Sequence, residues 1–178
     1  MRIVGGACKK RSLKVPKKGI RPTKGIVRSA IFNILGEQHM NAEVLDVFAG
    51  SGALGIEAIS RGARHCIFVE KKPRHLRMNL SKLISKSQAR IVAEDFRRAL
   101  RRLKNQEFDV IFADPPYNKN YVQLTLNEIV RYDLLAREGV VVIEHSPSEE
   151  FTIPDTLEKI KQRKYGDTAI SFFKHRRH

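Results

Sequence analysis

From residue 43 onward, short apolar runs alternate with amphipathic stretches, and no other feature constrains the fold of this chain as much. VLDVF, CIFVE, ARIVAED, FDVIFAD and GVVVIEH each read as a buried strand. Between them lie ALGIEAISR, PRHLRMNLSKLIS, FRRALRRLK and YVQLTLNEIVR, which read as helices. Regular β–α alternation implies a parallel sheet with right-handed crossovers and helices on both faces. The closing stretch TLEKIKQRKYGDTAISFFKH reads as two strands joined by a turn at Tyr165-Gly166-Asp167, which would add an antiparallel edge. The expected fold is α/β: a Rossmann-like three-layer sandwich around a seven-stranded, mostly parallel sheet, preceded by a small basic hairpin and a helix. A length of 178 residues suits a single domain. Within it, residues 1–36 form a basic N-terminal extension and residues 43–178 the core.

The first 28 residues hold ten Lys or Arg and no Asp or Glu. RIV and SLKV flank a glycine- and lysine-rich stretch, the pattern of a hairpin. Thr23 is placed to N-cap a helix over KGIVRSAIFNIL, with Ile26, Val27, Ala30, Ile31 and Ile34 as its apolar face and Gly36 as its stop. The net charge of +15 favours a polyanionic partner, nucleic acid first among them. Arg2, Lys9, Lys10, Arg11, Lys14, Lys17 and Lys18 would contact phosphates and give salt-dependent affinity. Arg97, Arg98, Arg101 and Arg102 make a second basic run, and Lys174, Arg176 and Arg177 a third. The apolar stretches are too short to span a bilayer, and no signal peptide is evident. Cys8 and Cys66 form no C-x-x-C pair and no metal set, which suits reduced thiols in the cytoplasm. No metal is expected, and nothing asks for an oligomer.

GSGALG, residues 50–55, follows the first strand and fits the G-x-G-x-x-G pattern of a dinucleotide site. Glu70, at the end of the second strand, is placed to accept bonds from ribose hydroxyls. Both features suit NAD and S-adenosylmethionine alike, since each is an adenosine with a tail. Three acids at strand ends favour the methyl donor. Asp46 would repel a pyrophosphate but attract a cationic amino-acid tail and a sulfonium. Asp95 ends the third strand, where it could receive an adenine amine. Asp114-Pro115-Pro116-Tyr117 ends the fourth. Its prolines fix the backbone, Asp114 and the adjoining carbonyl accept N–H bonds, and Tyr117 offers a stacking face. An aromatic amine is a poor nucleophile, because its lone pair is delocalised. Accepting both of its N–H bonds turns that lone pair toward a methyl group.

The residues just quoted resemble the RsmD family of S-adenosylmethionine-dependent class I methyltransferases of the DPPY type. These bacterial enzymes methylate the N2 amine of a guanine in 16S ribosomal RNA. The resemblance is carried by MRIVGG at the start, RPT at 21–23, VRSAIFNIL at 27–35, LDVFAGSGALGIEAISRGA at 45–63, FVE at 68–70 and FADPPY at 112–117. It implies that Asp46, Phe48, Ala49, Gly50, Ser51 and Gly52 line the methionine end of the cofactor. By the same resemblance Glu70 and Lys71 lie at the ribose, Asp95 and Phe96 at the adenine, and Asp114 to Tyr117 at the guanine amine. Arg21, Thr23 and Arg28 would close over the site or contact RNA. The partner implied is 16S rRNA or the small ribosomal subunit. Glu94 departs from the pattern, standing where a small residue often precedes the aspartate. The rivals are an adenine N6-methyltransferase, which usually carries an added recognition domain, a non-catalytic RNA-binding assembly factor, and an NAD oxidoreductase. Methylation at cytosine C5 needs a cysteine nucleophile that neither Cys8 nor Cys66 supplies.

Overall fold

The computed structural model describes residues 1–16, 25–117 and 119–177. Lys17, Lys18, Arg21 and the proposed Thr23 cap lie outside the described residues. Strands β1 (Glu43–Val47), β2 (His65–Val69), β3 (Ala89–Val92), β4 (Phe108–Ala113), β5 (Leu135–His145), β6 (Leu157–Tyr165) and β7 (Thr168–His175) form one sheet in the order β3-β2-β1-β4-β5-β7-β6. Strands β1 to β5 pair in parallel, and β7 runs antiparallel between β5 and β6. The expected sheet and its antiparallel end are therefore both present.

Burial on both faces explains why the central strands read as continuous apolar runs. Val44 points into one layer, while Leu45 and Val47 point into the other. The first layer holds the apolar sides of α1 (Gly25–Leu35), α2 (Ala53–Ser60) and α3 (Arg74–Leu83). The second holds those of α4 (Phe96–Arg102) and α5 (Tyr121–Arg131). Chain order runs outward from β1 to β3 and then returns to β4 on the other side of β1. The topological switch therefore lies between β1 and β4, where ligands bind in open α/β sheets.

The face of α1 differs from the expectation. Val27, Arg28, Ile31, Phe32 and Leu35 are buried, whereas Ile26 is 70% exposed. The helix stops at Leu35, and Gly36 adopts a left-handed φ of 57°, as a C-terminal glycine should. Arg28, expected at the RNA, is instead only 1% exposed. Its Nη2 donates to the Arg2 carbonyl, and its Nε lies 3.8 Å from Glu57 Oε2. Burial pulls the guanidinium below its usual pKa while Glu57 opposes the shift. Arg28 is thus a structural cation inside the protein, and not the RNA contact its basic segment suggests.

Glu57 gathers the N-terminal segment. Its carboxylate accepts from Val4 N at 2.8 Å, Gly5 N at 2.6 Å and Arg61 Nε at 2.8 Å. The hairpin itself is closed by an antiparallel bridge between Arg2 and Ser12. Ile3 and Leu13 bury their side chains beneath it, each worth about 1.5–3 kcal/mol, while Arg2, Lys9, Lys10 and Arg11 stay exposed. No helix among the described residues is long and apolar enough to cross a membrane.

Candidate active site

The carboxyl ends of β1 and β4 open into a cleft of about 720 Å³. Asp46, Phe48, Ala49, Gly50, Ser51, Glu70 and the whole of Asp114-Pro115-Pro116-Tyr117 line it. The glycine loop and the DPPY turn, 62 positions apart from Gly52 to Asp114 in sequence, therefore share one space because β1 and β4 are paired neighbours. The pairing of Val47 with Ala113 continues into a bond from Asp114 N to the Val47 carbonyl at 3.4 Å.

The loop is built for close backbone approach. Gly50 and Gly52 take left-handed φ values of 56° and 84°, and Gly52 opens α2. Gly55 has a different task. A Cβ there would lie 2.4 Å from the Phe68 ring and 2.7 Å from Cys66 Sγ, so its hydrogen lets α2 sit against β2. Phe48, a non-glycine residue at φ 60°, begins the loop. Its ring packs 4.7 Å from Phe96 and 5.8 Å from Tyr121, contacts that hold a costly backbone conformation in place.

Three acids have separate environments. Asp46 is 2% exposed, and its Oδ2 accepts from Gly55 N at 2.9 Å. Burial pushes its carboxyl up to about 7, helped by the nearby Glu70 charge and opposed by the Gly55 bond. A buried carboxylate on an open cleft is a place for a cation. Glu70 takes Gly50 N on Oε2 and Lys72 N on Oε1, both at 2.8 Å, so it holds the glycine loop as well as facing the cleft. Asp95 caps α4 by accepting from Arg97 N at 3.2 Å. Although desolvation works the other way, the Arg97 bonds hold its carboxyl below the usual range. Asp95, Phe96, Gly52 and Lys71 lie outside the lining of the cleft. Phe96 is buried under Phe48, and Lys71 is exposed. The departing Glu94 pairs with Arg102 at 2.8 Å, along α4.

Tyr117 is anchored through its hydroxyl. It donates to Glu144 Oε1 at 3.1 Å and lies 3.0 Å from Thr168 Oγ1. Burial and the acids around it raise the phenol to about 12, so it stays a neutral donor at ordinary pH. Sequence reading missed Glu144, which lines the cleft from the end of β5, and Asp167, which reaches it from the β6–β7 turn. It missed Asn79 as well. That side chain is 2% exposed and donates to the Lys14 and Ser51 carbonyls, each at 2.9 Å, while accepting from Lys14 N at 2.8 Å. Val15 and Pro16, next to Lys14, are part of the cleft wall. The rule that singled out Asp46, Glu70 and Asp114, an acid at a strand end, would have found Glu144 in GVVVIEH.

A sheet of this order, with a glycine loop after β1 and a proline turn after β4 in one cleft, defines a class I methyltransferase. Residues 1–174 match the family model described as conserved hypothetical protein 95. YlbH of Bacillus subtilis is 38% identical over 185 residues, covering 99% of this chain and 100% of that protein. Ribosomal RNA small subunit methyltransferase D of Escherichia coli K12 is 32% identical over 178 residues, covering 97% of this chain and 89% of its own length. The solved structure of yhhF from Escherichia coli superposes with a TM-score of 0.86 at 31% identity, covering 98% of this chain and 97% of that one. The chain belongs to this RsmD family of methyltransferases.

Proposed function

We propose that the protein transfers a methyl group from S-adenosylmethionine to the exocyclic N2 amine of a guanine in small-subunit ribosomal RNA. The observation that carries this reading is the shared cleft: Asp114-Pro115-Pro116-Tyr117 stands beside a glycine loop, Asp46 and Glu70. Its size and chemistry fit the cofactor. Asp46 suits the cationic end, the left-handed glycines leave room for close approach, and Glu70 suits the ribose. Asp95 and Phe96, which follow β3, would serve the adenine only by leaving their present contacts with Arg97 and Phe48, since neither lines the cleft. When bound, S-adenosylmethionine supplies an electrophilic methyl that passes to the amine as the carbon–sulfur electron pair returns to sulfur.

The chain's own task is to make the amine nucleophilic. Asp114 and the backbone carbonyl beside it accept the two N–H bonds, which frees the nitrogen lone pair from the ring. Once the methyl is on nitrogen, one proton must leave, and the Asp114 carboxylate would take it. Tyr117, held by Glu144 and Thr168, gives a fixed ring against which a planar base can rest. The exposed Arg2, Lys9, Lys10 and Arg11 of the hairpin would grip phosphates, with Lys17, Lys18 and Arg21 continuing the basic segment. The RsmD relatives named for small-subunit rRNA support that substrate.

Nucleoside mass spectrometry tests the reading. Unmodified small-subunit RNA and assembled subunits are incubated with protein and S-adenosylmethionine, then digested. N2-methylguanosine is the expected product, and Asp114→Ala should abolish it while cofactor binding persists. N6-methyladenosine would overturn the target. Unchanged methylation by Asp114→Ala would overturn the catalytic assignment.

A further inference from the structure

We propose that Glu144 makes the site selective for guanine by accepting the N1–H of the target base, an inference that rests on the guanine-N2 reading above. Glu144 is the last residue but one of β5, the strand next to β4, and the pairing of Ala113 with Ile143 puts Asp114 and Glu144 side by side at adjacent strand ends. Neighbouring strands lie about 4.8 Å apart, so an acceptor on β5 sits one strand over from the one that holds the amine. Both residues line the cleft. Glu144 is 6% exposed, and the Tyr117 hydroxyl fixes one of its oxygens at 3.1 Å. Thr168 on β7, 3.0 Å from that hydroxyl, steadies the tether in turn. The carboxylate thus has one oriented edge rather than a free rotor.

The pairing edge of a purine decides what such an acceptor does. Guanine presents two donors side by side, the N2 amine and N1–H. Adenine presents an amine beside a bare N1, which is an acceptor. A carboxylate next to the amine pocket completes a hydrogen bond with guanine. Against adenine it meets a lone pair, and two acceptors face each other with no proton between them. An amine alone would not separate the two bases, because Asp114 and the neighbouring carbonyl treat either amine alike. A charged hydrogen bond of this kind corresponds to roughly ten- to a hundredfold in rate.

The decisive probe is 2-aminopurine, which keeps the N2 amine but carries an acceptor at N1. It is ligated into the RNA at the methylated position, located beforehand by mass spectrometry of base-specific nuclease fragments of the product RNA. The wild-type protein should methylate guanine at least tenfold more efficiently in kcat/KM than 2-aminopurine. Glu144→Gln keeps an oxygen for the Tyr117 hydroxyl and adds an N–H donor. It should slow guanine and speed 2-aminopurine, so that the preference collapses or reverses. Calorimetric cofactor binding equal to wild type shows that the variant's site is intact. Equal slowing of both bases, with the preference unchanged, would overturn the role of Glu144. A wild-type protein that makes no N2-methylguanosine on the unsubstituted RNA would instead overturn the guanine reading, and this inference with it.

Discussion

Replacing Asp46 by Asn should change the pH dependence of stability by an amount that follows from one buried carboxyl. In the folded protein burial pushes its carboxyl from the ordinary 3.8 up to about 7. Folding therefore favours the protonated form. The stabilisation is fully present below the unfolded pKa, near pH 4, and is lost as pH rises to the folded value near pH 7. Each unit of difference is about 1.4 kcal/mol, so the loss totals about 4 kcal/mol across that window and is level above it. The amide of Asn can still accept from Gly55 N but never ionises. Glu70, whose charge also raises the Asp46 pKa, keeps its own bonds to Gly50 and Lys72 in the variant.

The difference in melting temperature between Asp46→Asn and wild type should therefore widen from pH 5 to pH 7. Two units correspond to about 3 kcal/mol, or roughly 6–12 °C for a chain of this size. Differential scanning fluorimetry from pH 4.5 to 8.5 measures it directly. A constant offset between the two proteins over that range would refute the reasoning. A cationic ligand beside Asp46 adds a second signature. It favours the ionised carboxylate, so binding below pH 7 should release a proton, visible as a buffer-dependent enthalpy that Asp46→Asn abolishes.

Gly55→Ala would drive a Cβ to 2.4 Å from the Phe68 ring. Overpacking of that kind costs about 1–3 kcal/mol in urea unfolding, and a neutral result would mean that α2 shifts freely over β2. Glu57→Gln removes the carboxylate charge 3.8 Å from the buried Arg28 guanidinium, a loss of about 3–5 kcal/mol by the same assay. A cost under about 1 kcal/mol would show that the pair is not what retains the cation. Neutralising Lys9, Lys10 and Arg11 together should flatten the slope of log affinity against log salt for RNA by about 2 to 3, and an unchanged slope would remove the hairpin from the interface.

What could be read from the residues alone was local. The strand and helix periods of residues 43–145 and the strand-end positions of Asp46, Glu70 and Asp114 repeat within a few residues, and the sheet places them as expected. Arg28 was misplaced because a basic residue in a basic segment reads as solvent-facing. Its burial depends on Glu57, 29 positions away, which no periodicity connects to it. The α1 face was shifted for the same reason. Counting apolar residues chose Ile26 over Phe32, but the docked hairpin and the sheet, not the composition of the helix, decide which side is covered. Asn79 carried no signal at all: an amide in mid-helix looks like surface until its backbone partners are known.

That amide has a consequence for how the molecule responds to its ligands. Asn79 bonds Lys14 on one side and Ser51 on the other, so one side chain joins the N-terminal hairpin segment to the glycine loop. Neither can move far without breaking a buried bond that also orders the other. If the loop takes the cofactor and the hairpin grips RNA, as proposed, the two bindings would be linked, and reciprocally: whatever the first ligand does to the affinity of the second, the second would do equally to the first.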